Sequence, residues 1–164
     1  MKQITCALLG YGDRTSRYAE YAVAHPEELK VVAVIDVLTH KVAAAKQKFN
    51  LTDSQTFDCL DAFLTADVPC DVVINGTMDE LHVQTAIPTL EKGYDLLLEK
   101  PIARSAAECR EIEETANRLG RQVFVCHVLR YAPFFTYIKK EIDSGKYGRV
   151  STINLTENVG YEHQ

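Results

Sequence analysis

Ile4-Thr5-Cys6-Ala7-Leu8-Leu9-Gly10-Tyr11-Gly12-Asp13-Arg14-Thr15 is the stretch whose reading decides the fold. Its apolar, β-rich run from Ile4 to Leu9 stops at a glycine turn, and apolar residues then recur at Tyr18, Ala19, Ala22 and Val23 with helical spacing. Strand, glycine turn and helix in that order open a dinucleotide-binding unit. Gly10 permits the tight bend, and Gly12 lets backbone N–H groups approach a pyrophosphate at the helix N-terminus, where the dipole favours negative charge. Thr15 stands where the third glycine of that fingerprint belongs. Either helix and strand pack slightly farther apart, or the hydroxyl turns toward phosphate.

Downstream, the first helix should end near His25-Pro26, because the residue before a proline avoids the helical region. Leu29 to Ile35 is continuously apolar after Lys30, as strands covered on both faces are, and Asp36 closes it. Helical spacing resumes from Thr39, read as an N-cap, through Val42, Ala45 and Phe49. A short third strand is expected over residues 55–57 and a short helix around Leu60, Phe63 and Leu64. Residues 71–75 form a fourth strand, followed by a helix carrying Val83, Ala86, Ile87 and Leu90 on one face, with Pro88 inside it and Gly93 as its stop.

Tyr94 to Leu98 reads as the fifth strand and runs into Glu99-Lys100-Pro101. Ser105 and Glu108 have capping-box spacing ahead of another helix ending at Gly120, and residues 122–126 form a sixth strand. Pro133 suits the first turn of a last helix with Phe135, Ile138 and Ile142 on one face, and Val150 to Glu157 alternates as a half-exposed strand does. Strands alternating with helices predict an α/β fold with a doubly wound parallel sheet, in strand order 3-2-1-4-5-6. The boundary is placed so that residues 1–148 are the dinucleotide-binding domain and 149–164 the start of a second α/β domain.

A net charge of −5 argues against nucleic acid as a partner. No apolar run approaches the length of a membrane span, and no signal peptide is read at the start. Five cysteines, odd in number and far apart, fit neither a disulfide framework nor a metal site, so reduced, mostly buried thiols in a cytoplasmic protein are expected. At the end of the second strand, Asp36 can accept both hydroxyls of an adenosine ribose and would repel a 2′-phosphate, which favours NAD over NADP. Arg14 complicates that preference, since an arginine can accommodate the phosphate. Thr77 or Asp79 can cap the helix that follows Asn75-Gly76-Thr77. His82 either points into the crevice or is a partly exposed imidazole. Beyond the sixth strand, His127 and Arg130 could bind a polar substrate.

Together these stretches resemble the glucose-fructose oxidoreductase, inositol dehydrogenase and rhizopine-catabolism (Gfo/Idh/MocA) family. The matching residues are 8–14, Val34-Ile35-Asp36, Val72 to Thr77 with His82, residues 97–103 around Glu99-Lys100-Pro101, His127 to Tyr131 and Gly145 to Gly148. Met78, where a proline is common, and Thr15 depart from the pattern. The resemblance implies an NAD-dependent oxidoreductase of a sugar, polyol or related hydroxyl compound, with Lys100 beside the nicotinamide and the reacting hydroxyl as the catalytic residue. Glu99 would orient Lys100 or contact the nicotinamide side. The cofactor contacts it implies begin with Gly10, Gly12, Asp13, Arg14, Thr15 and Asp36, and continue with Asn75, Thr77, His82, Glu99 and Lys100. The family's acid/base histidine lies in a second domain, so the chain is expected to be a nucleotide-binding half. A homo-oligomer, an NAD-retaining glycosidase and a non-catalytic NAD-binding sensor complete the expectations.

Overall fold

The structure is a computed structural model and describes residues 2–158. A six-stranded parallel sheet carries the first compact unit, which runs through Cys126; a second unit begins at His127. In chain order the first unit contains β1 (Ile4–Leu9), α1 (Asp13–Ala24), β2 (Leu29–Ile35), α2 (Thr39–Phe49), β3 (Thr56–Phe57) and α3 (Leu60–Ala66). It continues with β4 (Val72–Asn75), α4 (His82–Glu91), β5 (Asp95–Leu98), α5 (Ala106–Leu119) and β6 (Val123–Val125). The strand order β3-β2-β1-β4-β5-β6 matches the order expected from the sequence. The chain reverses direction across the sheet between β1 and β4, so the carboxyl ends of these two strands border the crevice where doubly wound sheets bind ligands.

Alternation along the strands divides the core in two. Cys6, Leu8, Val31, Val34 and Ile74 face α1 and α2 through Ala19, Ala22 and Ala45. Ala7, Leu9, Ala33, Val73, Leu96 and Leu98 face the other helices through Phe63, Ala86, Leu90, Ile112 and Ala116. Both faces of the central strands are therefore buried, which is why they read as unbroken apolar runs. Alanines at the helix positions let α1 and α2 lie close to the sheet.

Most helix ends follow from local chemistry. Ser105 accepts a hydrogen bond from the Glu108 N–H at 3.2 Å and donates to its carboxylate at 3.1 Å, and Gly120 ends α5 in the left-handed region. Two caps differ from expectation. Thr39 is the first helical residue rather than the cap, because Leu38 occupies that position and the Asp36 carboxylate takes its N–H. Neither Thr77 nor Asp79 caps α4; a short 3₁₀ turn, Asp79–Leu81, intervenes, and Thr77 is engaged by Asn75 instead. Pro88 lies inside α4, which starts six residues before it.

In the second unit a 3₁₀ turn, Val128–Tyr131, leads into α6 (Pro133–Asp143), with Pro133 in the first turn. The strand expected over Val150 to Glu157 does not form. That unit offers a turn and a helix among its described residues and no strand to pair with, and alternation alone cannot hold a ladder. The end of the expected second-domain segment, residues 159–164, lies outside the described residues. All five cysteines are free: Cys6 and Cys126 are buried, Cys70 and Cys109 half-buried, and Cys59 exposed, unlike the mostly buried set expected. Burial pushes the Cys6 and Cys70 thiols up to about 12, which keeps both protonated at neutral pH. No described helix is long and apolar enough to cross a membrane.

Candidate functional site

The glycine turn is fixed to the sheet before it opens toward solvent. Gly10 donates to the Ile35 carbonyl at 2.9 Å, which ties the turn to the end of β2, and Gly12 serves as the N-cap of α1 without a side-chain cap. The first N–H groups of α1 therefore have no intrahelical or side-chain acceptor, as an anion site requires. A Cβ built on Gly12 would meet nothing within 4 Å, so a ligand has room to approach the backbone there. Asp13 and Arg14 lie exposed in the same turn, and the Asp13 carboxylate is paired with Arg17 Nε at 3.1 Å.

Gly10 has φ +77, and a Cβ there would stand 2.9 Å from the Gly76 carbonyl oxygen. The turns after β1 and β4 thus press against each other backbone to backbone. A Cβ on Gly76 would in turn fall 2.0 Å from Thr15 Oγ1. Thr15 is fully buried, and its hydroxyl lies against Gly76, with no hydrogen-bond partner among the described residues. The side chain that replaces the third glycine is accommodated by a glycine on the neighbouring strand turn.

Asn75 is fully buried at the end of β4. Its Oδ1 accepts from the Thr77 N–H at 3.1 Å and the Thr77 hydroxyl at 2.8 Å, while its Nδ2 donates to Thr85 Oγ1 at 2.7 Å. Both ends of the amide are used to shape the turn. His82 is likewise fully buried, so it is neither exposed nor directed into the crevice. Its Nδ1 lies 2.8 Å from the Pro101 carbonyl oxygen and its Nε2 3.2 Å from that of Thr77, bridging the turns after β5 and β4. Its place is structural, between the two turns.

Asp36 is 8% exposed. Its Oδ2 accepts from the Tyr11 N–H in the glycine turn at 2.7 Å, and its Oδ1 from the Leu38 N–H at 2.8 Å. Lys41, in the first turn of α2, brings its ammonium to 4.0 Å from Oδ2. Gly10, Gly12, Asp36, Lys41 and Thr77 line a cavity of about 430 Å³ whose other walls are largely apolar, among them Leu38, Leu60 and Leu81. An apolar slot with a carboxylate and backbone donors along one side suits an adenosine, whose base is flat and whose ribose offers a diol.

Glu99 and Lys100 stand at the carboxyl end of β5, where the Glu99 N–H is held by the Asn75 carbonyl at 3.0 Å. Glu99 is 8% exposed. Its carboxylate accepts from the Lys100 N–H at 3.0 Å and from the Tyr18 hydroxyl, which reaches over from α1. Burial first, and then the hydrogen bond to Glu99, push the Tyr18 phenol well above its ordinary value, so it stays a donor. The Cys126 thiol lies against the same hydroxyl, and burial raises it too. Lys100 is exposed, and its peptide bond to Pro101 is cis.

Gly10, Gly12, Thr15, Asp36, Asn75, Thr77, Glu99 and Lys100 are thereby brought to one end of the sheet. His127 and Arg130 belong to the second unit, flanking and within the Val128–Tyr131 turn. Three participants escape sequence reading. Gly76 was visible only as part of a turn; Tyr18 counts as an apolar face residue in a helical pattern; Lys41 looks like any surface lysine. Among the described residues no group of His, Cys, Asp and Glu side chains is assembled to hold a metal.

Comparison with known proteins bears on this geometry. The family described as an oxidoreductase family with an NAD-binding Rossmann fold matches residues 4–127. An inositol 2-dehydrogenase of Salmonella typhimurium is 31% identical over 122 residues, covering 74% of this chain and 36% of that enzyme. An inositol 2-dehydrogenase/D-chiro-inositol 3-dehydrogenase of Lactiplantibacillus plantarum is 32% identical over 120 residues, 73% of this chain and 34% of that enzyme. This chain thus spans about a third of the length of these curated relatives. In fold it is similar to the WlbA dehydrogenase from Bordetella pertussis, solved in complex with NADH and UDP-GlcNAcA. The TM-score is 0.83 at 23% identity, covering 91% of this chain and 43% of that one.

Proposed function

The chain belongs to the Gfo/Idh/MocA oxidoreductase family, and on that premise we propose that it is the cofactor-binding part of an NAD-dependent dehydrogenase acting on a sugar, polyol or related hydroxyl compound. The observation that carries this reading is the convergence of Gly10, Asp36 and Glu99-Lys100 at the carboxyl ends of β1, β2 and β5, around the point where the strand order reverses. NAD, when bound, supplies the hydride acceptor. The amides of the Gly10–Gly12 turn hold its pyrophosphate, and Asp36 accepts from the adenosine ribose. Asn75 and Thr77 shape the wall of the crevice. Lys100 donates to the reacting oxygen and steadies negative charge there as hydride leaves the neighbouring carbon. Glu99, fixed by Tyr18 and the Lys100 N–H, holds the Lys100 backbone in place beside it. The inositol dehydrogenases among the relatives and the UDP-sugar complex of the structural neighbour support a polyhydroxylated substrate.

The test is a fluorescence titration of the chain with NADH. Saturable binding is expected, and Asp36→Ala should weaken it about tenfold or more, the loss of two hydrogen bonds to a charged group. A chain that leaves NADH fluorescence unchanged up to millimolar protein would sink the proposal.

A further inference from the structure

The sequence singles out Arg14 as the cation that could answer a phosphate on the adenosine ribose, but the residue the fold sets against Asp36 is Lys41. Its Nζ lies 4.0 Å from Asp36 Oδ2 and its side chain lines the same cavity. The placement follows from the backbone: Asp36 Oδ1 takes the Leu38 N–H at the foot of α2, which brings Lys41, the third helical residue, over the carboxylate. The carboxylate side is 6% exposed and the lysine side 34%, so the ammonium is the more accessible partner.

The chemistry of that corner differs from that of a bare carboxylate. Tyr11 and Leu38 N–H groups take two of the roughly four lone-pair positions of Asp36, leaving others for a ribose diol. An unpaired carboxylate would repel a 2′-phosphate. With an ammonium at ion-pair distance the corner carries little net charge, and the ammonium itself is a donor suited to phosphate oxygens. We infer that Lys41 is a specificity-determining residue: by neutralising Asp36 it lets the site take NADPH as well as NADH, and it sets the ratio of their affinities. This inference rests on the dinucleotide-binding reading of the crevice.

The experiment measures dissociation constants of the full chain for NADH and for NADPH, by fluorescence titration at one fixed ionic strength, in wild type, Lys41→Met and Lys41→Arg. In Lys41→Met the ratio of the NADPH constant to the NADH constant should rise about tenfold, the effect of removing one charge-assisted contact. Lys41→Arg keeps the charge and should hold the ratio within about twofold of wild type. Lys41→Gln serves the same purpose as Lys41→Met if the latter does not fold. An unmoved ratio on removal of the charge, or an arginine variant that behaves like the methionine one, overturns the inference while NADH binding itself stands. If wild type binds neither nucleotide, the dinucleotide reading falls, and this inference with it.

Discussion

Asp36 and Glu99 are both carboxylates at the carboxyl end of a strand, both 8% exposed, and each accepts two hydrogen bonds, yet they are held by different means. Asp36 is gripped by two backbone N–H groups, from Tyr11 and Leu38. Glu99 has one backbone donor, the N–H of Lys100, and depends for the other on the Tyr18 side chain. Donors that belong to the backbone persist whatever side chain evolution places there. A hydroxyl donor can be lost in a single substitution. The adenosine end of the crevice is therefore rigid by construction, whereas the end that carries Lys100 is adjustable through α1.

The most drastic way to break this comparison is to remove the frame both carboxylates share. Gly10→Ala combines a φ of +77 with a Cβ 2.9 Å from the Gly76 carbonyl oxygen, and neither backbone can give way cheaply. A loss of roughly 3 kcal/mol is expected from strain plus overpacking, with NADH affinity falling too. Urea unfolding would register it; an unchanged midpoint would show that the two turns separate more easily than the geometry implies.

Gly76→Ala tests the same junction from the other wall. Its Cβ would overlap Thr15 Oγ1, so about 2 kcal/mol should be lost. Thr15→Ala deletes that oxygen, which is buried without a partner, together with the γ-methyl, and should cost about 1 kcal/mol alone. In the double variant most of the Gly76→Ala cost should vanish, a coupling of about 1 kcal/mol or more. Strict additivity would mean the contact is not the source of the cost.

Tyr18→Phe sharpens the contrast directly. It removes one donor from Glu99 and should cost about 1 kcal/mol of stability, since a buried carboxylate oxygen is left short of a partner. NADH affinity should fall less than in Asp36→Ala, because the adenosine corner is untouched. Equal losses in the two variants would erase the distinction between the ends.

The smallest effect is expected at a third carboxylate, at the opposite end of the sheet. Asp71 accepts from the Lys2 ammonium at 2.9 Å and from the Thr5 N–H and hydroxyl at 2.8 Å each, and these donors, Lys2 first, hold its pKa at about 2. Because the folded value lies below the unfolded one of roughly 3.9, its stabilisation is present above pH ~4 and is lost as pH falls toward about 2. The side chain is 39% exposed, so the contribution stays under about 1 kcal/mol. Asp71→Asn should lower the unfolding free energy at pH 7, and the difference from wild type should shrink as the pH falls through about 2.

How much of this could be read from residues alone depends on whether the deciding contact is local. β1 and β2 were legible to the residue, because parallel strands buried on both faces leave unbroken apolar runs. The Ser105 cap and the Gly120 stop were legible because both lie within a few residues of what they bond. Val150 to Glu157 misled because alternation reports a face and not a partner. Gly10, Asp36 and Glu99-Lys100 were legible as strand-end residues. His82 and Tyr18 were not legible in their true places: a histidine bridging two carbonyls and a tyrosine reaching a glutamate across the sheet leave no periodic trace. Lys41 belongs with them, since its partner is set by where α2 begins.

Thr15 and Gly76 carry a consequence for how such crevices are recognised and redesigned. Space is conserved at their junction while its address moves: a bulky residue on one turn is admitted because the facing turn, far away along the chain, is bare. A fingerprint counted along a single turn would score this site as one glycine short. Counted across the junction, it is complete. A substitution at either position thus changes what the other will tolerate, and the two should be varied as a pair.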